Sequence, residues 1–145
     1  MQSLEKLKPL ALLLLRFVLG VIFIDHGYPK LFGHTRETME AFVQMGLPGY
    51  LAYVSGLIES FGGCMLIVGL FTRTAGLLLT IELAVGIWKA SHVVSDLTAV
   101  RSYESPLLLV AGSFVLATLG AGVVSLDQVI FGDSRSRPGK VKSRD

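Results

Sequence analysis

The chain is poor in three things that catalytic soluble domains draw on: cysteine, paired histidines and charge. Its one cysteine, Cys64, excludes an internal disulfide and any Cys-x-x-Cys redox pair. Set in an apolar run, that thiol reads as a small packing hydrophobe. The three histidines, His26, His34 and His92, make no His-x-x-x-His or Glu-x-x-His pair, so no catalytic metal signature is present. Flavin, haem and iron–sulfur motifs are also missing. Any hydride or electron transfer would therefore need a bound cofactor or a partner protein. Charged residues are 17% of the chain where a soluble domain carries about a quarter, which moves the sequence to the membrane class.

What is present is apolar sequence in four long runs, approximately residues 9–31, 50–70, 74–94 and 106–126. Each reaches the ~20 residues that cross about 30 Å of hydrocarbon at 1.5 Å per residue. The expectation is an all-α, integral membrane four-helix bundle over residues 1–132, multi-pass in the cell membrane. A basic tail, 133–145, is expected to be disordered and cytoplasmic. Lys6 and Lys8 precede the first run, Arg73 separates the second from the third, and the tail carries Arg135, Arg137, Lys140, Lys142 and Arg144. The positive-inside rule then places both termini in the cytoplasm. Basic residues flanking a span are a topology signal, and no nucleic-acid partner is expected. The first run follows Lys6 and Lys8 as a signal peptide would, but no small-x-small cleavage site follows, so it reads as an uncleaved helix.

Between the first two runs lies the one long connection with structure of its own. Thr35 as cap and Met39, Phe42 and Val43 at i, i+3, i+4 spacing predict a short helix on the outer surface, ended by Gly46-Leu47-Pro48. It reads as an interfacial connector or as a lid over the bundle. Phe71-Thr72-Arg73 is so short a link that the second and third spans must be antiparallel neighbours. Recurring small residues, among them Gly20, Gly27, Gly56, Ser60, Gly62 and Gly63, predict close helix contacts in lipid.

Charges inside the apolar runs are the chemical signal. Arg16, Glu59 and Glu82 each sit where a charge costs about 3 kcal/mol on insertion scales, so they should face the protein interior and pair. Helical rise puts Arg16 roughly 10 Å and Glu82 about 12 Å from the inner edge, and Glu59 about 14 Å below the outer edge. An inner Arg16–Glu59–Glu82 group is expected, with Lys89, two turns beyond Glu82, supplying a further charge. It reads either as a structural ion-pair network or as a cavity that binds a polar ligand or moves protons. An outer group gathers His26, Lys30, Lys89 and His92, while Asp25 points the opposite way, towards headgroups or another helix. Arg16, Gly20, Phe23, Gly27 and Lys30 share one helical face, with His26 at its margin. The two histidines suit interfacial roles, contacts to a quinone headgroup or proton, or haem ligation. Haem would need both imidazoles aimed at one gap, which nothing in the sequence requires.

These residues fall into an ordered pattern: Arg16-Phe-Val-Leu-Gly20, His26-Gly27-Tyr-Pro-Lys30-Leu31-Phe32-Gly33, Phe42, Gly46-Leu47-Pro48, Glu59-Ser-Phe-Gly62-Gly63, Gly69-Leu-Phe-Thr72-Arg73, Tyr103-Glu104, Gly120 and Ser125-Leu126-Asp127. Over about nine-tenths of the chain this resembles the DoxX family. The resemblance implies a small four-helix membrane protein of bacteria or archaea, in a family whose members carry oxidoreductase labels. Some relatives form part of a thiosulfate:quinone oxidoreductase; others are tied to oxidative and thiol stress or to detoxification of quinone-like compounds. It implies Arg16, His26, Lys30, Glu59 and Glu104 as functional positions, whereas Glu82 and Lys89 rest on depth alone.

The leading expectation is a membrane subunit of a redox system that binds a quinone or small aromatic molecule between its helices. Arg16, Glu59 and His26 are the catalytic candidates; Lys30, Glu82, Lys89, His92 and Glu104 are the ligand-binding ones. Expected partners are the bilayer, a membrane or soluble redox protein, and a second copy of the chain. A proton-coupled transporter is the rival, though no internal repeat or pair of broken helices supports it. A structural assembly subunit is the third reading.

Overall fold

The computed structural model describes residues 6–93 and 100–131, with side chains at 92–93, 100–103 and 131 outside the description. The tail expected to be disordered lies outside the described residues. All regular structure in the described part is helical: α1 (Lys8–Phe32), α2 (Thr35–Gln44), α3 (Leu51–Val68), α4 (Thr72–Val93), α5 (Val100–Leu119) and α6 (Leu126–Phe131).

Helices α1, α3 and the 72–91 part of α4 are long and apolar enough to cross a membrane. Pro9 opens α1 in the first turn, where its missing N–H has no helical acceptor to lose. The 25 residues of α1 reach about 37 Å. The fourth apolar run behaves differently. Its helix stops at Leu119 rather than continuing to 126, because Gly120 and Gly122 take φ of +82° and +77°, a left-handed backbone that ends a helix.

Backbone contact fixes how α1 lies on α3. A Cβ built on Gly20 would meet the Gly63 carbonyl at 2.7 Å, and one on Gly27 would meet the Gly56 carbonyl at 2.8 Å. Two contacts in opposite chain order make the helices antiparallel and set their register, with the main chains touching as small residues allow in lipid. The shared face predicted for α1 is the buried one: Arg16, Gly20, Phe23 and Gly27 all face inward. Leu19 and Phe23 of α1 join Leu66, Ala75, Leu79, Leu109 and Leu116 in one core drawn from α1, α3, α4 and α5. Most large side chains pointing away from it are apolar and exposed, including Leu14, Phe17, Phe61, Leu78 and Phe114. A surface of that kind suits lipid as solvent.

The predicted short helix is present as α2, with one change. Thr35 is its first residue, and His34 occupies the cap position without a side-chain cap bond. Thr38 Oγ1 donates to the His34 carbonyl at 2.9 Å instead. Val43, one of the three apolar residues of that spacing, is exposed. The α3–α4 link is as short as expected and the two helices pack together. Gly69 closes α3 in the left-handed region (φ +74°), and its N–H donates to the Met65 carbonyl at 2.8 Å.

Candidate functional site

Two polar networks are buried between the helices, and they divide the predicted residues differently from the expectation. The first is centred on Arg16, which is 1% exposed. Its Nε donates to the Leu66 carbonyl at 2.9 Å and Nη2 to Ile67 at 3.1 Å. Nη1 donates to the carbonyls of Ala121 at 2.8 Å and Val124 at 2.7 Å. Leu66 and Ile67 belong to the last turn of α3, whose carbonyls have no partner within the helix. The planar fork of a guanidinium suits this work, since it holds its donors in a fixed spread. Arg16 therefore ties the end of α3 to the 120–125 connection, and it pairs with neither Glu59 nor Glu82. The correction has a geometric reason: the glycine contacts set a register in which Arg16 faces the end of α3, with Glu59 about two turns away.

Asp127, just inside α6, completes this end. Its carboxylate accepts from the backbone N–H of Phe71 at 2.7 Å and of Thr72 at 2.9 Å, capping the start of α4 from another part of the chain. Its own N–H donates to the Gly69 carbonyl at 2.9 Å. Phe71 has φ +49°, a strained conformation for a residue with a side chain, and the Asp127 bond holds it there. The Gly69–Arg73 and Ser125–Asp127 pieces of the sequence pattern thus meet in space.

The second network joins α1, α3 and α4. Lys30 Nζ lies 2.6 Å from Glu59 Oε2, with Glu59 1% and Lys30 22% exposed. The same ammonium donates to Ser55 Oγ at 2.9 Å, and Ser55 donates to Glu82 Oε1 at 2.5 Å. Ser55 and Glu59 share a face of α3 at i, i+4 spacing. Lys30 reaches them because the side chain leans back along α1 towards its N-terminus, across the place where Gly27 lets the two backbones meet. Glu59 and His26 both lie within electrostatic reach of Glu82.

The structure thus draws Lys30 out of the expected outer group and Glu59 and Glu82 out of the inner one, into a single network. His26 is exposed at its side, and Asp25 is exposed as well. Lys89 was expected to balance the carboxylates, but its ammonium lies 5.4 Å from the ring centroid of Trp88, a cation–π contact on its own helix. Glu104 is exposed and makes no hydrogen bond or ion pair among the described residues. The side chain of His92 lies outside the described residues. Ser55 was missed in the sequence, its only signal being its spacing from Glu59, and Asp127 stood in the sequence pattern without being singled out as a candidate.

Chemically, the network holds two carboxylates against one ammonium, and Glu82 Oε2 is buried with no hydrogen-bond partner. Such an unpaired oxygen is a place for a proton or a ligand hydrogen. Among the described residues no group of three or more His, Cys, Asp or Glu could hold a metal ion. A separate cavity of 360 Å³ between α3 and α4 is lined by apolar side chains such as Leu57, Phe61, Met65 and Leu78, with Thr74. It carries no charged group.

Comparison with known proteins agrees with the pattern. Residues 11–92 match the DoxX family model. The chain is 35% identical over 119 residues to the Bacillus subtilis protein named "Putative oxidoreductase CatD", covering 82% of this chain and 86% of that one. It is 28% identical over 129 residues to the inner membrane protein YqjF of Escherichia coli, covering 87% of this chain and 96% of the relative. A second Escherichia coli inner membrane protein, YphA, is also 28% identical over 129 residues, covering 83% of this chain and 91% of its own length. No solved structure matches. With three helices able to cross a bilayer and a family match over more than half its length, this chain is a membrane protein belonging to the DoxX family.

Proposed function

We propose that this protein is the membrane-embedded component of a redox system and binds a quinone or similar small aromatic molecule at the Lys30–Ser55–Glu82–Glu59 network. The carrying observation is that network: a half-buried ammonium paired with a buried carboxylate and extended through a hydroxyl to a second carboxylate with a bare oxygen. A purely structural ion pair gains nothing from a second, unsatisfied acid, since each such group costs about 1–3 kcal/mol. The name of the Bacillus relative supports the redox reading, and the Escherichia names support the membrane. Electron transfer would be shared with a bound cofactor or a partner protein.

In this reading α5 is the fourth span and the protein is multi-pass in a bacterial or archaeal cell membrane. Both termini are cytoplasmic, on the side of Lys6, Lys8 and Arg73. Helix α2 then lies on the outer surface, and the network opens towards that side, about 20 Å along α1 from Arg16.

The test is calorimetric titration of the full chain in nanodiscs with duroquinone and durohydroquinone, with empty nanodiscs subtracted for partition into lipid. Saturable binding of at least one form is expected, weakened more than tenfold in Lys30→Met. Absence of saturable heat with both probes sinks the reading. So does wild-type affinity in a Lys30→Met/Glu59→Gln double variant that melts normally.

A further inference from the structure

If the network is the ligand site just proposed, its hydrogen-bond directions specify which oxidation form it holds. An ammonium has no lone pair, so Ser55 Oγ accepts from Lys30 at 2.9 Å. The one hydroxyl hydrogen of Ser55 then goes to Glu82 Oε1 at 2.5 Å. The chain runs one way only, from Lys30 through Ser55 to Glu82. Lys30 is also engaged with Glu59 at 2.6 Å, so two of its three N–H groups have partners inside the protein. What is left over is the third Lys30 N–H and Glu82 Oε2, the latter buried and without a donor. Whatever completes Glu82 Oε2 while that carboxylate is ionised must bring a hydrogen.

A metal cation is the poorer match. It would stand beside the Lys30 ammonium across Ser55, and a hard cation needs around six oxygen ligands. A neutral O–H supplies the missing hydrogen and adds no charge. Quinone carbonyls only accept, and they would set oxygen against oxygen at an ionised Glu82. We propose that the site takes the reduced, hydroxyl-bearing form of a quinone-class ring compound, with its O–H donating to Glu82 Oε2, in preference to the oxidised form. Glu82 is then the ligand-contacting acid, and Lys30 and Ser55 are positioning residues that orient it.

The experiment ranks three probes on the full chain in nanodiscs under anaerobic conditions: durohydroquinone, its dimethyl ether and duroquinone. Durohydroquinone is expected to bind about tenfold or more tightly than the other two, the value of one hydrogen bond to a charged acceptor. In Glu82→Gln, Ser55 still donates to Oε1 and the amide N–H takes the place of Oε2, so the ranking is expected to invert towards duroquinone. Equal affinity for the three, or a wild-type preference for duroquinone, overturns this proposal and leaves a quinone-class site standing. No saturable binding of any probe overturns both. Where Glu82→Gln does not fold, the wild-type ranking and the dimethyl ether decide alone.

Discussion

Arg16 and Lys30 stand on the same helix about 20 Å apart, and each is a cation in an apolar segment, yet their surroundings differ in kind. Arg16 meets four backbone carbonyls and is sealed from solvent. Every partner is main chain, so the geometry belongs to the fold itself. Lys30 meets side chains from α3, keeps 22% exposure and ends a chain whose last acceptor is open. A satisfied network locks helices together; an incomplete one keeps a place for something else. Under the proposed function, the difference assigns architecture to one end of the body and chemistry to the other.

The largest effect that would break this contrast is at Arg16. Arg16→Met leaves four carbonyls without their donor, two of them at the end of α3, at about 1–3 kcal/mol for each buried one that finds no water. Loss of folded protein is the expected outcome, read by size-exclusion profile and melting in detergent. Arg16→Lys is expected to rescue little, because one ammonium does not reproduce the fork. A folded, stable Arg16→Met would remove the architectural assignment.

Next come the single changes at the other end. Lys30→Met or Glu59→Gln alone leaves an unpaired buried group and is expected to cost about 3 kcal/mol, whereas the double variant should recover most of it. A double-mutant cycle on melting curves checks this. Strictly additive losses would mean that the pair is not coupled as drawn. Gly27→Ala is expected to cost about 1–3 kcal/mol, since its Cβ would meet Ser60 Oγ at 2.5 Å and the Gly56 carbonyl at 2.8 Å. It should weaken ligand binding as well, by moving α1 off Ser55 and Glu59; unchanged binding would separate the register from the site.

The smallest expected effect sharpens the architectural end. Asp127→Asn keeps one acceptor but loses the charge on the two N–H groups that open α4, at about 1 kcal/mol. Adding Phe71→Gly should return part of that, because glycine adopts φ +49° without strain. If the glycine variant melts no higher in the Asn background, the strain at Phe71 is not held by Asp127.

Much of the fold was legible in the chain. Segregated charge and apolar runs located three spanning helices, the brevity of the link at Phe71-Thr72-Arg73 made α3 and α4 neighbours, and spacing alone found the buried face of α1. The site was legible by membership but not by pairing. Arg16, Glu59 and Glu82 were marked as buried charges and Lys30 as an outer one, yet Arg16 was assigned to the carboxylates that Lys30 and Ser55 engage. Depth from helical rise assumes that every span starts flush with the membrane edge, whereas the partners are chosen by the register of α1 on α3.

By itself the sequence determined that this chain lives in a membrane, which segments are helical and which charges must be hidden. Those are local consequences of desolvation cost and helical period, and each residue carries its share of them. Only the tertiary structure decided which hidden charge meets which partner. That choice depends on the axial register and rotation of one helix against another, set here where Gly20 and Gly27 meet the α3 backbone. It also depends on carbonyls exposed only where a helix ends, as α3 does beside Arg16.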